Sequence, residues 1–224
     1  MADYEEMTAS KKLAGFIEKR KVAFIAILIA FVCLLAGYVV CASIANSNKA
    51  KGLQAIDEIT FELTDKSSGL TDEETEVRLN TAFEKASAYT KKGGITGARA
   101  NMLCADITYQ QKKYAESAGY WKAAAEKSKK SYIAPLCYFN TAVCSEETGN
   151  IDDAATYYKL AADNKNFVMR AHALFSYGRV LETKGDFAGA SAAYTELNDN
   201  FSGDSWAQLA KSRLIALKND GKIE

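Results

Sequence analysis

The chain of 224 residues is poor in the features that mark most catalytic and disulfide-built proteins. It has one proline, Pro135, and many alanines, which points to helices. It has one histidine, His172, which excludes a two-histidine metal site and a histidine triad elsewhere. Neither sign of charge is in surplus, with 28 Lys and Arg against 28 Asp and Glu. That balance excludes a nucleic-acid binder acting by bulk charge. The mix of 48% apolar and 25% charged residues excludes collagen, a disordered tail and a disulfide-stapled mini-protein. None of the five cysteines forms a C-x-x-C pair, so no zinc is expected. Cys137 and Cys144 on one helix would stand about 10 Å apart, beyond bridging reach. Cys104, Cys137 and Cys144 therefore read as small buried hydrophobes. Gly93-Gly94 with Gly97 lacks the strand and the spacing of a phosphate loop. Asp72-Glu73-Glu74 and Asp152-Asp153 fall at predicted helix N-termini, where negative charge suits the dipole. No catalytic residue, metal or cofactor is expected.

Charge itself is absent between Lys21 and Lys49. The core of this gap, Val22 to Ile44, spans roughly 35 Å as a helix, against the about 30 Å of a hydrocarbon slab. It is apolar on every face, so it predicts a single transmembrane helix over 22–45. Lys19, Arg20 and Lys21 abut it, with Lys11 and Lys12 further back, whereas the far side offers only Lys49 and Lys51. Positive-inside logic places residues 1–21 in the cytoplasm and the rest outside. A cleaved signal peptide could use Ser43-Ile44-Ala45, but the apolar stretch is too long for one. A lipoprotein would use Cys41 or Cys33, yet Val40 and Val32 precede them where a small residue is expected.

Beyond the apolar run three segments align, Ala98 to Ser128, Pro135 to Asn164 and Ala171 to Asn200. Tyr114, Ile151 and Phe187 anchor them, and the last two stand two residues past Gly149 and Gly185. Lys112 takes the glycine's place in the first. Small residues recur at Ser117, Ala154 and Ala190, and large rings at Trp121, Tyr158 and Tyr194. Ala124, Ala161 and Leu197 follow, and Ala105, Ala142 and Gly178 precede each anchor. This pattern resembles the tetratricopeptide repeat, a helix–turn–helix unit. Small residues give clearance where two helices cross, and the rings are expected to fill the space toward the next hairpin. One hairpin cannot bury its apolar face alone, so stacking is obligatory.

The ends complete the layout. Ser205 to Asn219 reads as a capping helix within a closing segment 203–224. Lys51 to Leu63 and Glu73 to Lys91 read as a degenerate first hairpin within 46–94, ahead of three repeats over 95–202. No strong breaker separates the span from that hairpin, so one helix is expected to run through both. The fold class is all-α: one N-terminal transmembrane helix, then an α-solenoid with a C-terminal cap.

This layout resembles the ancillary SecYEG translocon subunit family, N-terminally anchored tetratricopeptide proteins. The resemblance implies a bacterial inner-membrane protein with its repeats in the periplasm, contacting the Sec channel and periplasmic chaperones. By repeat offset, a partner-binding groove would carry Met102, Asp106 and Tyr109, then Phe139, Val143 and Glu146, then Phe175, Arg179 and Glu182. Apolar residues rimmed by charge would suit an extended or helical peptide. The same rings could instead pack against the adjoining repeat or the capping helix. Partners are expected to be proteins and, through residues 22–44, lipid. A structural subunit of an envelope-spanning assembly is the alternative, and an enzyme or cell-wall accessory is the weakest reading.

Overall fold

The computed structural model describes residues 9–224; Asp3, Glu5 and Glu6 lie outside the described residues. Among the described residues ten helices follow one another: α1 (Ala9–Lys19), α2 (Lys21–Thr64), α3 (Asp72–Ser87), α4 (Gly94–Gln110), α5 (Tyr114–Lys127), α6 (Ile133–Glu147), α7 (Ile151–Ala162), α8 (Arg170–Thr183), α9 (Phe187–Asn200) and α10 (Ser205–Asn219). Two compact units result, Met1–Lys51 and Gly52–Glu224.

In the first unit α1 stops at Arg20, whose N–H donates to the Ile17 carbonyl at 3.1 Å. The α2 helix then continues without a break through Asn46-Ser47-Asn48. Asn and Ser carry only modest helix penalties, so a short polar cluster does not end a helix held on both sides. The stretch from Val22 to Ile44 stays uncovered, with Val22 and Leu34 each 73% exposed. The helix is long and apolar enough to cross a membrane.

The second unit is a row of helical hairpins packed in chain order. Ile56 and Ile59 of α2, Leu79, Ala82 and Ala86 of α3, and Leu103 and Ile107 of α4 form one core. Gly52 is needed there, because a Cβ would come within 2.7 Å of the Thr96 Cγ2. Thr71 and Glu74 form a capping box at the start of α3, satisfying two orphan N–H groups. The α3 helix ends at Ser87, short of Lys91, as the chain tightens into turns and Asn101 Nδ2 donates to the Thr90 carbonyl at 2.9 Å.

Three hairpins follow, α4–α5, α6–α7 and α8–α9, and the residues Tyr114, Ile151 and Phe187 each open the second helix. Each turn is the same Schellman closure. Lys113, Asn150 and Asp186 donate back to the carbonyls of Thr108, Ser145 and Leu181 at 2.8 to 2.9 Å. The closure requires a left-handed residue, taken by Gly149 (φ 73°) and Gly185 (φ 78°). Lys112 adopts it too, at φ 60°, although a side chain makes that region costly. Pro135 sits in the first turn of α6, where a missing N–H is tolerated.

Where the paired helices cross, Ala105, Ala142 and Gly178 face the second helix with no room to spare. A Cβ on Gly178 would lie 2.5 Å from Cε1 of Tyr194. The Tyr194 ring therefore lies directly over the small residue of its own hairpin, within the core it shares with Ala207 and Ala210 of α10. The reason is that a missing side chain on the first helix leaves a recess the ring can occupy. The hydroxyl of Ser117 donates to the Ala105 carbonyl at 2.7 Å, closing the first crossing in the same way.

Two substitutions probe this. Lys112→Gly should raise stability by up to about 1 kcal/mol, because it relieves the left-handed strain at a smaller cost in chain entropy. Gly178→Ala should lower it by about 1–3 kcal/mol through overpacking against Tyr194. Denaturant unfolding of the solubilised full chain reads both, and equal midpoints for all three proteins would contradict this packing.

Candidate interaction face

The first helices of successive hairpins, α4, α6 and α8, together with α10, present one residue series. The structure divides that series into locked and open members.

The locked members are polar. Glu146 accepts from the Tyr158 hydroxyl at 2.6 Å within its own hairpin. Arg179 of the next hairpin donates to both Glu146 oxygens at 2.7 Å. One repeat further on, Glu182 accepts from the Tyr194 hydroxyl at 2.5 Å and from Nε of Arg213 at 3.0 Å, with the second Arg213 nitrogen on the other oxygen. Each glutamate is thus clamped between a tyrosine twelve residues on and an arginine of the following first helix. Burial pushes Glu182 up, but the hydrogen bonds from Arg213 and Tyr194 outweigh it and hold the carboxyl below its usual range. Burial and the neighbouring carboxylates raise both tyrosines. Bidentate Arg–carboxylate geometry makes these clamps stronger than single contacts.

The aromatic members are mostly covered. Phe139 is buried, 5% exposed, with its ring 5.3 Å from Tyr158, 4.8 Å from His172 and 6.3 Å from Phe167. Phe175 is half-buried between Tyr194 at 5.7 Å and Trp206 at 5.2 Å. His172 stacks flat on Trp206, centroids 3.9 Å apart. Burial, and then the Arg179 charge, push His172 below its ordinary value. Neither the His172–Trp206 stack nor Arg213 was singled out by sequence. The recurring Glu, Tyr and Arg at 146/158/179 and 182/194/213 was the available signal.

The open members lie at the first repeat and on the first helix of the second, at Val143. No clamp forms there, because Tyr109, Trp121 and Val143 stand at the corresponding positions. Met102, Tyr109 and Val143 are half-buried, and Tyr109 meets Tyr114 edge-on at 5.1 Å. Asp106 reaches solvent, yet protein crowds the rest of its carboxyl, and this desolvation lifts it to about 6. The nine residues read as repeat packing, Ala105, Ser117, Trp121, Ala142, Ala154, Tyr158, Gly178, Ala190 and Tyr194, are all buried.

Elsewhere, a cleft of about 610 Å³ opens beside Leu63, Leu70, Val77 and Ala82, with Glu73, Glu74 and Arg78 also lining it. Burial pushes the Cys104 and Cys137 thiols up to about 12, which leaves them protonated and unreactive. Among the described residues no group of three or more potential metal ligands comes together.

Two measurements follow from this division. Phe139→Ala should cost about 3–5 kcal/mol in unfolding free energy, as expected of a buried ring. Asp106 binds its proton more tightly when folded, between its ordinary 3.8 and about 6, so its contribution to stability falls as pH rises through that window. Asp106→Asn should therefore raise the melting temperature at pH 7 and flatten the profile between about pH 4 and 6. An unchanged profile would show that the carboxyl is fully hydrated.

The family model of the tetratricopeptide repeat matches residues 104–168 and 148–205. A "TPR repeat-containing protein" of Treponema pallidum (strain Nichols) is 34% identical over 139 residues, covering 62% of this chain and 58% of the relative. The matched part of the chain thus spans little over half the length of that relative. Together with the stacked hairpins, both matches support a tetratricopeptide-repeat protein.

Proposed function

We propose that this chain is a membrane-tethered scaffold that holds other proteins at a bacterial inner membrane. In this reading residues 1–21 lie in the cytoplasm and 22–45 cross the bilayer once. The first hairpin (46–94), three repeats (95–202) and the capping segment (203–224) face the periplasm. One observation carries the reading: α2 leaves an unbroken apolar surface uncovered over Val22–Ile44, and the same helix delivers Ile56 and Ile59 to the repeat core. Water is a poor solvent for such a surface, and lipid is a good one. The basic flank before Val22 supports the orientation.

Tethering raises the effective concentration of partners at the membrane, so weak contacts suffice. Tetratricopeptide repeats suit protein partners, and the open residues Met102, Asp106, Tyr109 and Val143 are the contact face in this reading. The family resemblance favours Sec translocon components and periplasmic chaperones as those partners. A permanent envelope assembly would call for a large apolar patch. Beyond the span the exposed large apolar residues include Phe61, Val77, Tyr132, Leu160, Val168, Leu209 and Ile215, distributed over several helices and turns.

A photocrosslinker at Tyr109 of the full chain in cells should capture Sec channel or chaperone proteins, and one at Thr156 on α7 should not. Capture of a single stoichiometric envelope complex from both positions would favour a structural subunit. A C-terminal reporter should be active only outside the cytoplasm; activity inside would overturn the orientation.

A further inference from the structure

The α1 helix ahead of the span carries an exposed apolar face. Leu13, Phe16 and Ile17 recur at helical spacing on α1 and are 60%, 51% and 46% exposed. Such a triplet forms a stripe along one side of a helix. Across residues 11–21 the chain carries Lys11, Lys12, Lys19, Arg20 and Lys21 against the single acid Glu18. The guanidinium of Arg20 sits 5.3 Å above the Phe16 ring, which places a cation at the border of the apolar stripe. Phe16 also meets Phe24 edge-on at 6.0 Å, so the stripe is continuous with the apolar surface of α2.

We propose that α1 is an interfacial helix that seats Leu13, Phe16 and Ile17 among lipid chains, while Lys19, Arg20 and Lys21 at its end hold anionic phospholipid headgroups. This rests on the reading that residues 22–44 cross a bilayer. The chemistry selects the occupant. An apolar stripe bordered by cations, joined to a span at the depth where phosphates lie, matches a bilayer surface. Long basic side chains can reach headgroups while their stems stay against lipid. A soluble acidic protein would satisfy the cations but gives no reason for the stripe to run on into the span.

Hydrogen exchange on the full chain in lipid nanodiscs tests this. Residues 9–19 should exchange more slowly in phosphatidylcholine mixed with phosphatidylglycerol than in phosphatidylcholine alone, and high salt should reduce the difference. Each of Lys19→Gln and Lys21→Gln should cut the protection factor about fivefold in the mixed lipid. Leu13→Ser with Ile17→Ser should remove protection in both lipids. Equal exchange in the two lipids, or protection that survives the double serine variant, would overturn the proposal. Residues 22–44 serve as the internal reference. If they stay protected while 9–19 do not, the interfacial helix alone fails. If they exchange freely as well, the membrane span fails and the proposal falls with it.

Discussion

The repeat unit depends on how closely two antiparallel helices can cross. At Ala105, Ala142 and Gly178 the first helix presents almost no side chain, and Ser117, Ala154 and Ala190 answer from the second. The third crossing is the tightest, because Tyr194 lies directly over the glycine. Close approach fixes the hairpin angle, and the angle sets where the next hairpin can stack. The Schellman turns deliver each chain reversal at the same distance from the crossing. Lys112 accepts a left-handed backbone because the packing on both sides over-determines it.

Stacking then places charges in register. Each tyrosine that covers a crossing points its hydroxyl at a glutamate near the end of its own first helix, and the next first helix adds an arginine. Nearest-neighbour contacts of this kind are what a solenoid uses for stability. They also consume the polar groups that a partner would otherwise meet. Two consecutive clamps and the ring contacts among Phe139, His172, Phe175 and Trp206 tie the C-terminal half of the face together. The first repeat has no clamp, and protein crowds the Asp106 carboxyl enough to lift it to about 6. The asymmetry between the two ends of one repeat array is a direct consequence of Tyr109 and Val143 standing where glutamate and arginine stand later.

The long α2 helix carries two kinds of surface in one element. Its first part is long and apolar enough to cross a membrane. Its last turns carry Ile56 and Ile59 into a packed core, with Asp57 paired to Arg99 at 2.6 Å and Glu62 to Lys85 at 2.5 Å. Such exposed pairs contribute little stability individually, so the side-chain core does most of the holding there.

Much of this was legible in the sequence. A charge-free apolar run, a period near that of a helical hairpin, turn glycines and small residues at fixed offsets are local or periodic signals. Local backbone physics acts on each of them before any tertiary contact exists. The openings of α5, α7 and α9 at Tyr114, Ile151 and Phe187 and the bounds of α10 follow from such signals. Helical offset alone assigns Glu146, Arg179 and Glu182 to one residue series. Their pairing was not legible. Residues 31 to 33 positions apart meet only once the stagger between stacked hairpins is set, and that stagger comes from side-chain packing. The burial of Phe139 and the flat stack of His172 on Trp206 were decided in the same way, by helices that sequence spacing alone does not bring together.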